Sequence, residues 1–183
     1  MTGPRILAVS GSLRTQGFNR KLLDLAVTHA RSLGAEVDVV DLKALGLPLY
    51  DGDVEAAGLP PPVLELRERL GKAQGLLISS PEYNSSIPGG LKNAIDWVSR
   101  PPGRLFHDKW AAMMGTSPGV FGTARMQPHL RQVLSSVGAL VLNTQVHLPK
   151  AAEAFTPDGK LKDEARQKEV ETLVGALVSK LKG

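Results

Sequence analysis

The side chains best suited to bind an anion are concentrated near the start of the chain. The apolar run Ile6–Val9 has the length of a buried parallel strand, and apolar residues return at helical spacing from Leu22 onwards. The polar residues between them therefore form a loop that leads into a helix. A helix N-terminus offers unpaired N–H groups and partial positive charge, which suit a phosphate. The predicted phosphate-binding residues are Ser10, Ser12, Arg14, Thr15, Gly17 and Asn19.

A plain β–α turn, in which the hydroxyl groups only cap the helix, is the alternative interpretation of this loop. The residues of the loop alone do not decide between the two. Two better-known phosphate loops are absent, because the sequence contains neither G-x-x-x-x-G-K-[ST] nor G-x-G-x-x-G. Asp41 is therefore interpreted as a strand-end or turn residue and not as the ribose ligand of a dinucleotide-binding domain.

A second loop, over residues 79–90, combines polar groups with Tyr83 and Ile87. A flat heteroaromatic ring needs an apolar or aromatic wall and hydrogen-bond partners at its edge. The backbone N–H groups of residues 82–84 and the Asn84 side chain are predicted to supply that edge. The alternative is a structural loop in which Glu82 is solvated and Tyr83 packs on a neighbour.

A third loop, over residues 115–125, contains three glycines that permit a close approach of the backbone to a ligand. Arg125 begins the next helix, where a cation is unfavourable for the helix dipole. It is therefore expected to have a partner, either an acidic group of another subunit or a cofactor phosphate.

The remaining pattern alternates strands and helices. Five strands and five helices imply a parallel sheet covered on both faces, with ligands outside the carboxyl ends of the strands. The predicted strands cover residues 6–9, 36–42, 75–79, 110–114 and 139–142. The predicted helices follow residue 22 and cover 63–72, 91–100, 124–137 and 161–181, while 44–62 is predicted as a loop.

Composition narrows the function classes. The chain has 183 residues with 42% hydrophobic content, which predicts one domain over residues 1–183. It has no cysteine, so thiol redox chemistry and cysteine-bound metal are excluded. Its basic residues are scattered along the sequence, which argues against nucleic-acid binding. Its net charge of +4 suits anionic ligands. No apolar run is long enough for a membrane span, no metal-ligand spacing of histidines occurs, and a cytoplasmic protein is the simplest expectation.

Taken together, the three loops resemble the NADPH-dependent FMN reductase family of flavodoxin-like proteins, which includes quinone and chromate reductases. The resemblance covers roughly residues 5–145 and is most specific from Pro81-Glu-Tyr-Asn84 to Ile87-Pro-Gly-Gly-Leu-Lys-Asn-Ala-Ile-Asp-Trp97. Further matches are Gly11-Ser-Leu-Arg14, Phe18-Asn-Arg20, Ser117-Pro-Gly119 and Gly122-x-Ala-Arg125. The resemblance implies a doubly wound sheet with strand order 2-1-3-4-5 and helices on both faces.

The resemblance also implies where FMN binds. It assigns the phosphate to Ser10, Ser12, Arg14 and Asn19. It places the isoalloxazine ring beside Pro81, Glu82, Tyr83 and Asn84, with Ser117 nearby. The family usually has serine at position 17, so the glycine here removes one hydroxyl, for which Thr15 or the Gly17 N–H is the expected substitute.

The implied activity is hydride transfer from NADPH or NADH to FMN, followed by transfer to a quinone, chromate or a similar small-molecule acceptor. Such chemistry needs no protein nucleophile, since the cofactor carries it. The expected kinetics are an alternating turnover in which the two substrates bind in turn. A flavodoxin-like electron carrier without a nicotinamide site, and an interaction module that has lost the flavin, are the alternatives. The family resemblance further implies a homodimer or homotetramer, with Tyr83 and Arg125 as candidate subunit contacts.

Overall fold

A parallel β-sheet forms the centre of the computed structural model, which describes residues 3–183. Its strands are β1 (Arg5–Ser10), β2 (Glu36–Val40), β3 (Gly75–Ser79), β4 (Trp110–Thr116), β5 (Leu140–Val141) and β6 (Val146–Leu148). The spatial order is β2-β1-β3-β4-β5, and all pairs are parallel. This confirms the predicted order and places the carboxyl ends of β1, β3 and β4 side by side.

The position beside β4 is shared by two short strands instead of one. β5 pairs with Trp110 and Ala111, whereas β6 pairs with β4 further along, from Met114 to Thr116. The sequence predicted only the first of these, as a strand over residues 139–142. The polar residues 143–145 interrupt the apolar pattern, so the three residues of β6 carried too weak a signal.

The described part of the chain contains eight helices. They are α1 (Phe18–Ser32), α2 (Leu42–Leu45), α3 (Gly52–Ala57), α4 (Pro61–Lys72), α5 (Gly89–Val98), α6 (Met126–Ser136), α7 (Ala151–Ala154) and α8 (Glu164–Lys182). The prediction of an unbroken loop over residues 44–62 is wrong, because α3 and the end of α2 fall within it. Both are short helices fixed by an aspartate cap, and they are too short to show helical periodicity. Asp41 accepts hydrogen bonds from the N–H groups of Lys43 and Ala44, and Asp51 from that of Asp53.

The alternation of side chains along each strand divides the core between the two faces of the sheet. One face packs under α1 and α8 and contains Ile6, Ala8, Leu77, Ala112 and Met114. The opposite face packs under α4, α5 and α6 and contains Leu7, Val9, Leu76, Ile78, Ala111 and Met113. Because the central strands are buried on both sides, their sequences are continuously apolar.

The three strand ends can meet only because two glycines stand between them. A Cβ atom on Gly11 would lie 2.3 Å from the Ser80 Oγ, and one on Gly115 would lie 2.2 Å from the Ser80 carbonyl oxygen. Gly11 donates a hydrogen bond to the Ser79 carbonyl (2.9 Å), and Ser80 donates one to that of Met114 (3.0 Å). The loops after β1, β3 and β4 are thus held against one another at one edge of the sheet.

We expect Gly115→Ala to lower the free energy of unfolding by about 1–3 kcal/mol, since the new methyl group meets backbone and cannot be accommodated by a side-chain rotation. Urea denaturation measures this. Gly89→Ala is the matched control, because a Cβ at the first residue of α5 meets nothing within 4 Å. Its stability should stay the same or rise by up to about 1 kcal/mol. Equal stability of the Gly115→Ala variant and the unmodified protein would contradict this account of the strand ends.

Candidate functional site

The loop after β1 leaves a set of backbone N–H groups without acceptors. Those of Thr15, Gln16, Phe18 and Asn19 make no hydrogen bond to any group of residues 3–183. Gly17 is the N-cap of α1 and has no side chain to accept from them. Unpaired N–H groups that converge at a helix N-terminus form a concave site for an anion.

Side chains of the same loop shape this site and add a cation. The Ser10 Oγ accepts a hydrogen bond from the Ser12 N–H (3.2 Å), and the Ser12 Oγ accepts one from the Arg14 N–H (3.3 Å). The Arg14 guanidinium is exposed and has no carboxylate partner within residues 3–183. A guanidinium presents planar paired donors, which match a phosphate group. Ser10 and Ser12 thus fix the loop, while Arg14 is free to bind.

A cleft of about 330 Å³ opens on this loop. Its lining includes four of the predicted phosphate-binding residues, namely Ser10, Ser12, Arg14 and Thr15. Two carboxylates also line it, but both are engaged: Asp24 pairs with Arg20 (3.0 Å) and Asp41 caps α2. The electrostatic balance of the cleft therefore favours a negatively charged ligand.

Asn19 has a structural use that the sequence did not reveal. Its side-chain amide donates to the Thr116 carbonyl (2.9 Å), and its side-chain oxygen accepts from the Thr116 N–H (3.0 Å) and the Ser79 hydroxyl (3.2 Å). The residue is 4% exposed. These bonds tie the first turn of α1 to the ends of β3 and β4. Asn19 is not among the residues that line the cleft, and contact of its side chain or its backbone N–H with a phosphate stays a prediction.

Gly17 departs from the serine that is usual in the resembling family. A Cβ here would lie 3.2 Å from the Arg14 Cβ, the Arg14 carbonyl oxygen and the Ser12 Oγ, which is tight but not impossible. The backbone of Gly17 is extended, a conformation open to any residue. The expected substitute, the Gly17 N–H, is already donated to the Arg14 carbonyl (3.1 Å). Thr15, which is exposed, remains able to supply the missing hydroxyl.

The loop after β3 folds into a tight hairpin. Tyr83 and Ser86 exchange two backbone hydrogen bonds (3.1 and 3.0 Å), and the two residues between them have positive φ. Asn84 (φ 49°) and Ser85 (φ 63°) adopt this conformation without being glycine, a strain that concentrates at functional sites. The Tyr83 N–H is consumed by the hairpin, so of the three predicted edge donors the N–H groups of Glu82 and Asn84 are available.

Glu82 clamps this hairpin to α6. Its Oε2 accepts from the backbone N–H groups of Arg125 (3.0 Å) and Met126 (3.1 Å), and its Oε1 accepts from the Arg125 guanidinium at 2.7 and 2.6 Å. The Glu82 side chain is only 5% exposed. A carboxylate at a helix N-terminus is favoured by the helix dipole and satisfies N–H groups that lack acceptors. On the other side of the hairpin, the Ser86 hydroxyl lies 3.0 Å from the His129 Nδ1.

This clamp corrects the expectation for Arg125. Its partner within residues 3–183 is Glu82 of the same chain, which the sequence argument did not consider, and a further contact with another subunit stays a prediction. The sequence argument correctly required a partner for a cation at a helix N-terminus. It could not identify a residue on a different loop, 43 positions away. The alternative in which Glu82 is solvated is also wrong, since its carboxylate is buried and bonded.

The remaining predicted ring contacts lie on the same edge. Pro81 is buried and its carbonyl accepts from the Ser80 hydroxyl (3.1 Å), whereas the Tyr83 ring is about half exposed. Ser117 donates its hydroxyl to the Gly122 carbonyl and its N–H to the Leu148 carbonyl (3.2 Å). The Ser117 oxygen can therefore still accept a hydrogen bond, but its hydrogen is used to close the loop after β4.

The segment 47–51 stands beside α5 as a rigid strap. The Pro48 carbonyl accepts from the Asn93 amide and the Trp97 indole N–H (both 2.8 Å), and the Tyr50 N–H donates to the Asn93 side-chain oxygen (2.8 Å). Trp97 is fully buried, which confirms its assignment to the core. The strap presents Leu49 with 83% of its surface exposed.

Titratable groups are arranged for structure and not as a proton-transfer pair. The pKa of Tyr50 is raised, chiefly because its hydroxyl donates to Glu55 (2.7 Å). The pKa of His147 is lowered by burial. Within residues 3–183, no three histidine, aspartate or glutamate side chains are grouped to hold a metal ion. In the same part of the chain, none of the helices has the length and apolarity needed to cross a bilayer.

The carboxyl edge of the sheet therefore combines a loop with N–H groups that lack internal acceptors at the start of α1 and two further loops that Glu82 and Arg125 hold together. Such an arrangement can hold a molecule with a phosphate at one end and a flat ring at the other. Sequence reasoning expected unpaired N–H groups at this helix N-terminus but did not name Gln16 and Phe18, because backbone donors have no residue-type signature. It also missed the Glu82 clamp.

Comparison with known proteins agrees with this geometry. Residues 4–153 match the model of the NADPH-dependent FMN reductase family. An NAD(P)H-dependent FMN reductase of Pseudomonas aeruginosa is 42% identical over 183 residues, covering 98% of this chain and 97% of that protein. An NAD(P)H:quinone oxidoreductase of Solanum tuberosum is 38% identical over 188 residues, covering 98% and 95% respectively.

Among solved structures, the flavoenzyme NAD(P)H:(acceptor) oxidoreductase FerB of Paracoccus denitrificans superimposes with a TM-score of 0.87. It is 35% identical and the match covers 98% of this chain and 97% of that one. The family match extends over most of the chain and includes all three loops of the site. The chain belongs to the NADPH-dependent FMN reductase family.

Proposed function

We propose that this protein is an FMN-dependent NAD(P)H oxidoreductase that passes electrons to a small-molecule acceptor of the quinone class. The observation that carries the proposal is the set of N–H groups without internal acceptors beside Arg14, in a loop that lies within the region matched by the family model. The relatives named as FMN and quinone reductases support both the cofactor and the acceptor class. Chromate stays a prediction of the sequence.

The residues present fit FMN. The phosphate would bind the N–H groups of Thr15, Gln16, Phe18 and Asn19, the Arg14 guanidinium and the Thr15 hydroxyl. Ser10 and Ser12 hold the loop in the shape that keeps these donors unpaired. When bound, FMN supplies a ring that accepts a hydride from a nicotinamide and passes electrons on.

The loops after β3 and β4 would border that ring. The Glu82 and Asn84 N–H groups face no internal acceptor and are available to the ring edge, while Pro81 and Tyr83 supply apolar surface. Ser117 can accept one hydrogen bond. The clamp between Glu82 and Arg125 fixes the spacing of the two loops before any ligand binds, which lowers the cost of ordering them.

A flavodoxin-like electron carrier is the second candidate. The positive net charge of +4 favours the oxidoreductase, since a nicotinamide dinucleotide is an anion. Reduction of the bound flavin by NADPH or NADH alone, with loss of its yellow colour, would support the enzyme. A yellow protein that neither nucleotide bleaches under anaerobic conditions would favour the carrier.

A homodimer or homotetramer of single-domain chains is part of the proposal. Large apolar side chains are exposed on the loops of the site and on segment 47–51, and a neighbouring subunit would cover them. They are Leu13, Leu49, Tyr83, Val120 and Phe121. Sedimentation equilibrium tests this, and a monomer at micromolar concentration would contradict it.

Arg14→Ala is expected to raise the dissociation constant of FMN by roughly 10- to 100-fold, because one charge-assisted hydrogen-bonding group is lost. Flavin fluorescence titration of the apoprotein measures this. Riboflavin, which has no phosphate, should bind both proteins equally. Arg104→Ala is the control for loss of an exposed arginine elsewhere. An equal loss of affinity for riboflavin and for FMN in Arg14→Ala would contradict a role of Arg14 in phosphate binding.

Glu82→Ala should lower the free energy of unfolding by about 1–2 kcal/mol, since two N–H groups of α6 lose their cap. The substitution should also lower the affinity for FMN, because the loops at the ring are no longer held together. Glu82→Gln keeps an acceptor but loses the charge, so its stability and its FMN affinity should lie between those of Glu82→Ala and the unmodified protein. Chemical denaturation and FMN titration measure the two effects. Glu65→Ala, which breaks an exposed pair with Arg69, is the control. An unchanged FMN affinity in Glu82→Ala would refute the clamp's role at the ring.

Steady-state rates with NADPH and a benzoquinone should give parallel double-reciprocal lines. The physical reason is that nicotinamide and quinone must approach the same space between the loops after β3 and β4, so each binds after the other has left. Varying both substrates over a matrix of concentrations provides the test. Intersecting lines would show that both bind together and would contradict the shared space.

A further inference from the structure

Another cleft, of about 200 Å³, lies between the end of β6 with α7 and the start of α8. Its floor is apolar and is formed by Leu148, Pro149, Ala154 and Leu161. Its rim carries three cations: Lys150, Lys162 and Arg166. An apolar floor with a few polar groups at the rim is the usual build of a small-molecule site.

The wall of this cleft is hydrogen-bonded directly to the loop that borders the proposed flavin ring. The Lys150 N–H donates to the Gly119 carbonyl (3.1 Å), and the Ala151 N–H donates to the Ser117 carbonyl (3.0 Å). In the other direction, the Thr116 hydroxyl donates to the Leu148 carbonyl (2.9 Å). A ligand seated in the cleft would thus be separated from the ring site by a single loop.

The carboxylates that line the cleft are used in other interactions, whereas two of the cations have free donors. Two carboxylates line it, but Asp163 is used to cap α8 through the Ala165 N–H (2.8 Å), and Glu153 lies 3.7 Å from the Lys150 Nζ. The Lys162 ammonium group forms no ion pair with any residue of 3–183 and is exposed. Arg166 gives one nitrogen, Nη1, to Glu169, which leaves the Nη2 and Nε donors available.

The backbone turns at Lys150, the residue that precedes α7. Lys150 adopts a left-handed conformation (φ 50°), which is uncommon for a residue other than glycine. Here it turns the chain at the end of β6 so that Lys150 stands on the rim.

We propose that this cleft binds the adenosine 2′-phosphate end of NADPH. The adenine lies against the apolar floor, and the 2′-phosphate is bound by Lys162 and Arg166, with Lys150 closer to the ring site. NADH has no 2′-phosphate, so the cleft makes the enzyme prefer NADPH. This inference rests on the proposed oxidoreductase function, which it extends by naming the nucleotide and the residues that distinguish it.

The test uses the FMN-loaded full-length protein and the double variant Lys162→Gln/Arg166→Gln. The expected result is an increase of about tenfold or more in KM for NADPH, with KM for NADH unchanged, since each lost charge-assisted bond is worth a large factor in affinity. The matched control is Lys160→Gln/Lys168→Gln, which removes the same charge from exposed positions outside the cleft. It should change neither KM more than about twofold, because exposed charges act weakly at a distance.

Calorimetric titration with 2′,5′-ADP provides a measurement that does not depend on turnover. The unmodified protein and the control should bind it, and Lys162→Gln/Arg166→Gln should bind it about tenfold more weakly. Absence of binding to the unmodified protein, equal binding to both double variants, or equal effects on NADPH and NADH would each overturn the assignment. If neither nucleotide reduces the flavin, the proposed function fails, and the titration still decides whether the cleft recognises an adenosine 2′-phosphate.

Discussion

The structure depends on keeping a group of backbone donors unpaired at the start of α1. The first N–H groups of a helix have no intrahelical acceptors, so a capping side chain, water or a ligand must satisfy them. Of the residues concerned, Thr15 and Gln16 are exposed and Asn19 is buried. Here Gly17 provides no capping side chain, and the hydroxyl oxygens of Ser10 and Ser12 accept from the N–H groups of Ser12 and Arg14 instead. The helix dipole and Arg14 add positive potential at the same place. These donors lie in the loop to which the proposal assigns the FMN phosphate.

Hydrogen bonds and close packing fix the position of this loop relative to the loops after β3 and β4. Asn19 bonds the first turn of α1 to the ends of β3 and β4, and the glycines at 11 and 115 allow the three strand ends to touch. Glu82 then fixes the hairpin after β3 to α6. Each connection runs between different strands or loops, so the phosphate end and the ring end of the site are positioned by one continuous set of contacts. A rigid site of this kind suits chemistry that the cofactor itself performs.

Much of this could be predicted from the sequence. The apolar runs of β1, β3 and β4 are unambiguous because they are buried on both faces, and the strand order followed from the family resemblance. Short elements escaped prediction: α2 and α3 depend on aspartate caps, and β6 depends on pairing with β4 after an interruption. The dipole argument showed that Arg125 needed a partner, but only tertiary structure brings Glu82 to it. The use of Asn19 as a cross-tie likewise depends on contacts that are 97 residues apart in sequence.

The most direct test of the central claim is an amide chemical-shift titration of the ¹⁵N-labelled apoprotein with FMN and with riboflavin. The account predicts that FMN moves the amide signals of Thr15, Gln16, Phe18 and Asn19 downfield, as expected for N–H groups that gain a phosphate acceptor, and that riboflavin leaves them in place. If FMN binds while these four signals stay unchanged, the phosphate lies elsewhere and the account is wrong.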